Sequence, residues 1–387
     1  MNSLRPITRR LCVWAMAASV LSSSLGLPLS GCANRSPIRI GFAGELTGRQ
    51  ADLGVHGRNG AQLAVETINA AGGVAGRPIE LVVRDDRGTP EGAQTADREL
   101  MGKGVVAIIG HMTSAQTVAG RSATEPAKMV LFSPAASTPE LSGLDDFFFR
   151  ITPTHLDQAN ILAQHVYHKR GLARIAVIYD TDNAAYAESY ADAFAKSLES
   201  MGGQVVARIS FASSRDPNLA SLVTELRIAN PAGLLIIASP LDTALLAQHT
   251  RLSGWNVPLF SSAWAQTEGL IQNGGQAVEG IEIMIAFDVN SQSAAYQKFK
   301  TRYQASFGHA PTFAAGEAYE VVLVLAAALG KTGGRAEGLP QALLKTHDFE
   351  GLIGKISLDA YGDVARTLFL VSIRNGEFVT LAAVEPK

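Results

Sequence analysis

Two serines stand where an anion could be gripped. Ser114 follows the apolar run 105–110 and opens a helical stretch, and Ser137 begins the loop after the next run, 129–133. A serine at such a point can cap the helix. It can equally turn its hydroxyl toward a carboxylate, together with the leading amides and the positive end of the helix dipole. The residues alone leave both uses open. Asn183 and Tyr186 follow the run 174–179, and Trp264 follows 258–261. These put an amide, a phenol and an indole at comparable exits, where aromatic rings either wall a ligand or fill a core.

Other chemistry is poorly served. No G-x-S-x-G elbow is present, and no serine has a recognisable triad context. Gly330-Lys331-Thr332 looks like the end of a phosphate loop, but the glycine needed upstream is Leu325 and the setting is a helix end. His165 and His168 share a helix face and lack further ligands, which is a surface pattern rather than a metal site. Asp85 and Asp86 point to opposite faces of a strand end and are read as structural. No catalytic residue, metal or cofactor is expected. The net charge of −2 gives no basic stripe for nucleic acid.

The elements that position these residues alternate. Strands are expected at 38–43, 79–84, 105–110, 129–133 and 147–150, separated by helices at 56–71, 90–101 and 114–126. The pattern restarts with strands at 174–179, 204–211, 233–238 and 258–261 and helices at 156–170, 186–201, 219–229 and 242–253. Helices at 294–307 and 313–329 follow, then a β-rich tail, 354–384. Continuous apolar strands between helices indicate parallel sheets covered on both faces. Two successive sets in 387 residues imply two doubly wound α/β lobes.

The first residues form an address label. Arg5, Arg9 and Arg10 precede a largely apolar run, 11–29, whose serines, Gly26 and Pro28 suit a secretory signal better than a permanent span. The run ends in Leu29-Ser30-Gly31-Cys32, which resembles a bacterial lipobox. Cys12 and Cys32 are the two cysteines of the chain, so the body has no internal disulfide. Residues 1–31 are therefore expected to be a lipoprotein signal peptide and 32–36 a tether, with Cys32 lipidated at the periplasmic or cell-surface face of a bacterial membrane. Ala33 after the cysteine favours the outer membrane where there are two, and the general export route is favoured over the twin-arginine one.

One ordered series carries a family likeness. Leu46-Thr47-Gly48, Gly54, Gly57, Gly60-Ala61, Leu63-Ala64-Val65, the stretch from Ile68 through Gly72-Gly73 to Gly76-Arg77, and Asp85-Asp86 lead it. Gly110-His111 and Ser133-Pro134-Ala135-Ala136-Ser137-Thr138-Pro139-Glu140-Leu141 continue it. The series closely resembles the branched-chain (Leu/Ile/Val) amino-acid-binding proteins of the periplasmic type I class, over essentially 37–387 and more weakly in the second half. The resemblance implies a monomeric clamp serving an ABC importer's permease subunits. Its two lobes would be 37–151 plus 288–355 and 152–287 plus 356–387, joined by a three-segment hinge with crossings near 150–154, 285–289 and 354–358.

It also implies that the positions matching Met112, Thr113, Ser114, Ala135, Ala136 and Ser137 hold a ligand's carboxylate and part of its ammonium. Tyr186, with Asn183 beside it, and Trp264 would face them from the other lobe. Three positions depart from the family pattern: Ala263 stands where a glutamate meets the ammonium, Ser239 where a tyrosine is supplied, and Leu53 where lobe one offers an aromatic. A buried ammonium needs an acceptor. Either Asp242, Glu268 or Glu317 substitutes, or the ligand is an aromatic or aliphatic carboxylate without an ammonium. The disulfide common in the family is missing at both of its matching positions, about Gly88 and Thr113. The same fold also serves ligand-sensing modules that regulate a partner; the lipobox favours transport.

Overall fold

The computed structural model describes residues 36–384, so the signal segment, Cys32 and most of the tether lie outside the described residues. The chain runs β1 (Ile38–Gly44), α1 (Ala51–Ala70), β2 (Ile79–Asp85), α2 (Pro90–Gly102), β3 (Ile108–Ile109), α3 (Ser114–Thr124), β4 (Leu131–Ser133) and β5 (Phe148–Arg150). These strands form one parallel sheet in the order β2-β1-β3-β4-β5. Side chains alternate across it: Phe42, Ile109 and Phe132 enter one core, and Ala43, Ile108 and Leu131 the other. Both faces are buried, as the continuous apolar runs require.

A second set follows: α4 (His155–Gln164), β6 (Arg174–Asp180), α5 (Ala184–Ser200), β7 (Gln204–Phe211), α6 (Leu219–Ile228), β8 (Gly233–Ile237), α7 (Pro240–Leu252), β9 (Leu259–Ser262), α8 (Glu268–Gly274) and β10 (Glu282–Ile285). Its parallel strands stand in the order β7-β6-β8-β9-β10, the same winding as the first sheet. The chain then returns to the first sheet with α9 (Ala294–Phe307), α10 (Phe313–Thr332), α11 (Leu339–Leu344) and a small hairpin, β11 (Phe349–Glu350) with β12 (Lys355–Ile356). It ends on the second sheet with β13 (Leu368–Arg374), antiparallel beside β10, and β14 (Glu377–Val384), antiparallel beside β13 at the edge. The two lobes are joined by passages at 151–154, 286–293 and 357–367.

α10 is apolar nearly all round. It packs along α1 and reaches β3 and β4, which makes it a core helix despite a length and hydropathy that could cross a membrane. Close approach to α1 needs a glycine: a Cβ on Gly60 would lie 2.0 Å from the carbonyl oxygen of Ala315. Gly54 is held in the same way by the carbonyl of Glu45, 1.8 Å from such a Cβ. Helix α1 starts at Ala51 rather than near residue 56, so Gly54 lies inside it and not in the loop before it. The short elements α8, β10 and α11 were not anticipated at all.

Between β2 and β3 lies a buried charged network. His111, fully enclosed, places Nδ1 2.6 Å from Asp86 Oδ2 and Nε2 3.3 Å from Asp97 Oδ2. Burial works against its charge, but the two carboxylates prevail and hold the imidazole up to about 10. Gln116 Nε2 donates to the Gly88 carbonyl at 2.7 Å, and Gly88 N donates to Asp86 at 2.9 Å. Loops 86–88 and 111–116 are thus tied together by hydrogen bonds without sulfur.

Candidate functional site

The carboxyl ends of both sheets face one another across a cavity, where ligands sit in doubly wound folds. From the first lobe, Met112, Thr113 and Ser114 line it at the β3 exit and Ala135 and Ser137 at the β4 exit, while Leu53 comes from α1 and Phe313 and Glu317 from α10. From the second lobe come Gln158, Asn183, Tyr186, Ala263, Trp264 and Ile285. The empty space, its mouth included, is about 420 Å³. That confines the occupant to a small molecule.

The polar groups of the β3 and β4 exits are interlocked. Ser133 Oγ donates to the His111 carbonyl at 2.8 Å and accepts the Ala136 amide at 2.9 Å. Ser114 Oγ accepts the Ser137 amide at 3.3 Å, so its own proton is available to an acceptor in the cavity. Thr113, the N-cap residue of α3, makes no side-chain capping bond, and its hydroxyl donates to Gln116 instead. Ala115 N, in the first turn, is reached from the other lobe by Asn183 Oδ1 at 3.0 Å. Ser137 Oγ lies 3.4 Å from His155 Nδ1. Burial, with the Arg150 charge, pushes that imidazole down to about 3, so it stays neutral.

Tyr186 and Trp264 meet edge to face at 6.1 Å, and Tyr186 meets the His155 ring in the same way at 4.8 Å. Burial raises the Tyr186 phenol far above its usual range, so it keeps its proton. Four lining side chains hold a buried polar atom that finds no hydrogen-bond partner: Gln158 Oε1, Tyr186 OH, Trp264 Nε1 and Glu317 Oε2. Orphaned groups converging on one cavity are the mark of a site completed by a ligand.

Most of the residues singled out from the sequence meet here: Leu53, Met112, Thr113, Ser114, Ala135, Ser137, Asn183, Tyr186 and Trp264 all line the cavity. Tyr186 does so from the first turn of α5, with Asn183 as that helix's N-cap residue, rather than from a free loop. Two do not line it. Ala136 is buried behind the wall with its amide spent on Ser133. Ser239 caps α7, its Oγ accepting the Asp242 amide at 3.2 Å and donating to the Asp242 carboxylate at 2.6 Å. Of the three acids offered as ammonium partners, Asp242 is bound to Arg49 and Ser239, and Glu268 accepts the Ala310 amide on the rim of a separate surface cleft. Only Glu317 reaches the cavity.

Thr152, Gln158 and Phe313 line the cavity without having been foreseen. Arg49 was also missed. Its guanidinium bonds Asp242 across the cleft at 2.6 Å, and Gln50 Nε2 reaches Ser213 Oγ at 3.3 Å beside it. His165 bonds Glu282 at 2.9 Å, and no group of metal-ligating side chains occurs among the described residues.

Two similarly wound lobes, a three-segment connection and a small polar-rimmed cavity between them define a two-lobed solute-binding protein. The comparisons agree. A family profile described as periplasmic binding protein matches residues 37–377, and the chain belongs to that family. Among curated proteins, an amino acid binding protein of Pseudomonas aeruginosa is 25% identical over 373 residues, covering 94% of this chain and 96% of the relative. Among solved structures, a leucine binding protein from Thermotoga maritima aligns with a TM-score of 0.84 at 25% identity, covering 90% of this chain and 99% of that one. The substrate binding protein of a branched-chain amino acid transporter from Streptococcus pneumoniae, in complex with isoleucine, aligns with a TM-score of 0.83 at 27% identity, covering 90% and 99%.

Proposed function

We propose that this protein is an extracytoplasmic, lipid-anchored receptor that delivers a small carboxylate solute, such as a hydrophobic amino acid, to the permease of an ABC importer. The observation that carries the reading is the cavity itself. Hydroxyls of Ser114 and Ser137 at the start of α3 and the β4 exit form a neutral, hydrogen-bonding end suited to a carboxylate, with Asn183 of the other lobe already holding the Ala115 amide. Leu53, Phe313, Ile285, Tyr186 and Trp264 give an apolar and aromatic body. The relatives that bind amino acids support the same solute class.

Residues from both lobes line the cavity, so a solute would favour the closed arrangement by touching both at once, with the three inter-lobe passages as hinge. The closed, loaded form is what a permease would recognise. Acylation of Cys32 would hold the receptor at the membrane, since more than one acyl chain gives stable anchoring.

The test is mass spectrometry of small molecules released by denaturing protein purified without added ligand. A carboxylate stoichiometric with protein is expected; release of a sugar or a cation in its place would overturn the reading. Incorporation of labelled palmitate in the wild type and its loss in Cys32→Ala checks the anchor separately.

A further inference from the structure

The cavity wall contains one carboxylate, and its position is peculiar. Glu317 sits in the second turn of α10, 1% exposed, with the Thr152 hydroxyl beside it. Its Oε2 has no hydrogen-bond partner. The nearest fixed cation, Arg366, is committed elsewhere: Nη1 bonds Glu320 Oε2 at 2.6 Å and Nη2 bonds Glu320 Oε1 at 3.3 Å. Glu320 and Arg366 therefore neutralise one another, and an ionised Glu317 would be a buried charge without a counter-ion. Such a charge is expensive unless it is protonated or paired.

No lysine, arginine or histidine lines the cavity to pair with it. The remaining source of positive charge is the occupant. On the facing wall, Ala263 presents only a methyl group.

We propose that Glu317 is the group that reads the ligand's ammonium, so that the solute is a zwitterionic α-amino acid and not a simple carboxylic acid. This rests on the reading that the cavity takes a small carboxylate solute, and it narrows that class. Glu317 belongs to the first lobe, as do Ser114 and Ser137, so both charged ends of the amino acid are held there before the second lobe closes.

The empty site is consistent with this. Burial raises the Glu317 carboxyl to about 8, with Arg366 opposing, Glu320 adding to the rise and the Thr152 hydroxyl opposing. Near neutral pH the acid holds a proton, which it gives up when an ammonium takes its place.

The experiment is calorimetric titration of the full chain, freed of bound solute, with the standard amino acids and with the des-amino acid matched to each one that binds. L-leucine is matched by 4-methylpentanoate and L-phenylalanine by 3-phenylpropanoate. Wild type is expected to bind at least one amino acid and to hold its des-amino counterpart at least roughly thirtyfold more weakly, as loss of one partner of a buried charge pair requires. Glu317→Gln, nearly isosteric and checked for folding by its thermal midpoint, is expected to lose amino-acid affinity by a similar factor. The des-amino acid should bind the variant as well as it binds wild type, or better.

Wild type holding both members of a matched pair equally would overturn the proposal without needing a variant. A folded Glu317→Gln that keeps its amino-acid affinity within about threefold would do the same, and either result leaves the carboxylate reading standing. Failure of both panels to bind wild type would overturn that reading as well.

Discussion

Arg49→Met should loosen the clamp without touching the cavity. Arg49 leaves the β1–α1 loop of one lobe and meets Asp242 at the start of α7 in the other, with Nη2–Oδ1 at 2.6 Å and Nε–Oδ1 at 3.1 Å. The carboxylate is fully buried and the guanidinium about one-third exposed, 34% by side chain. A charge-assisted hydrogen bond to a buried acid contributes about 1.5–3 kcal/mol, and partial exposure of the arginine argues for the lower half of that range. Taking about 2 kcal/mol, the closed form becomes roughly thirtyfold less favoured. Apparent affinity scales with the fraction of competent, closed protein, so the solute should bind about thirtyfold more weakly, chiefly through faster release. Asp242→Asn should cause a similar loss, and the double variant should bind about as weakly as either single one, a coupling near 2 kcal/mol. Calorimetry gives the affinities, and small-angle scattering of empty and loaded protein gives the degree of closure. If Arg49→Met binds within twofold of wild type and compacts identically, the latch contributes nothing and the reasoning fails.

Other outcomes can be stated more briefly. Ser114→Ala removes a hydroxyl facing a desolvated carboxylate and should weaken binding by about tenfold or more; unchanged affinity would reject Ser114 as a contact. Trp264→Phe keeps the aromatic wall but deletes the unpartnered indole N–H. It should cost about fivefold in affinity with little change in thermal midpoint. His111→Gln leaves Asp86 and Asp97 buried and poorly paired, and denaturant titration should show a loss of about 3–5 kcal/mol. Because the folded-state value of His111 is raised to about 10, native protein holds a proton there that unfolded protein releases above about 6.5. That stabilisation is complete below about 6.5 and disappears as pH rises through 10, so unfolding free energy should fall across this interval in wild type but not in His111→Gln.

The order of elements could be read from apolar runs and glycine punctuation, because a parallel sheet buried on both faces writes itself as uninterrupted strands such as β8. What escaped was governed by contacts distant in sequence. Gly54 reads as a loop residue, and Gly57 and Gly60 as weak points of a helix, until Glu45, Met112 and Ala315 are seen pressed against them. Ser239 and Ser114 both follow a strand and precede a helix. One bonds its own helix start and the other faces the cavity, and nothing local distinguishes them. Glu317 could not be preferred over Asp242 or Glu268 because α10 is buried around its whole circumference, and periodicity cannot say which face of such a helix meets a ligand. Arg49 was invisible for the same reason, its partner being 193 positions away.

The Asp86–His111–Asp97 cluster has a practical corollary. A chain that secures the loop after β3 by a proton-bearing ring held between acids needs no oxidising compartment to mature, and strong thiol reductants should leave its unfolding curve unmoved. With no native cysteine after Cys32, a pair of engineered thiols, one on each lobe, could carry fluorophores without scrambling. Opening and closing could then be followed one molecule at a time.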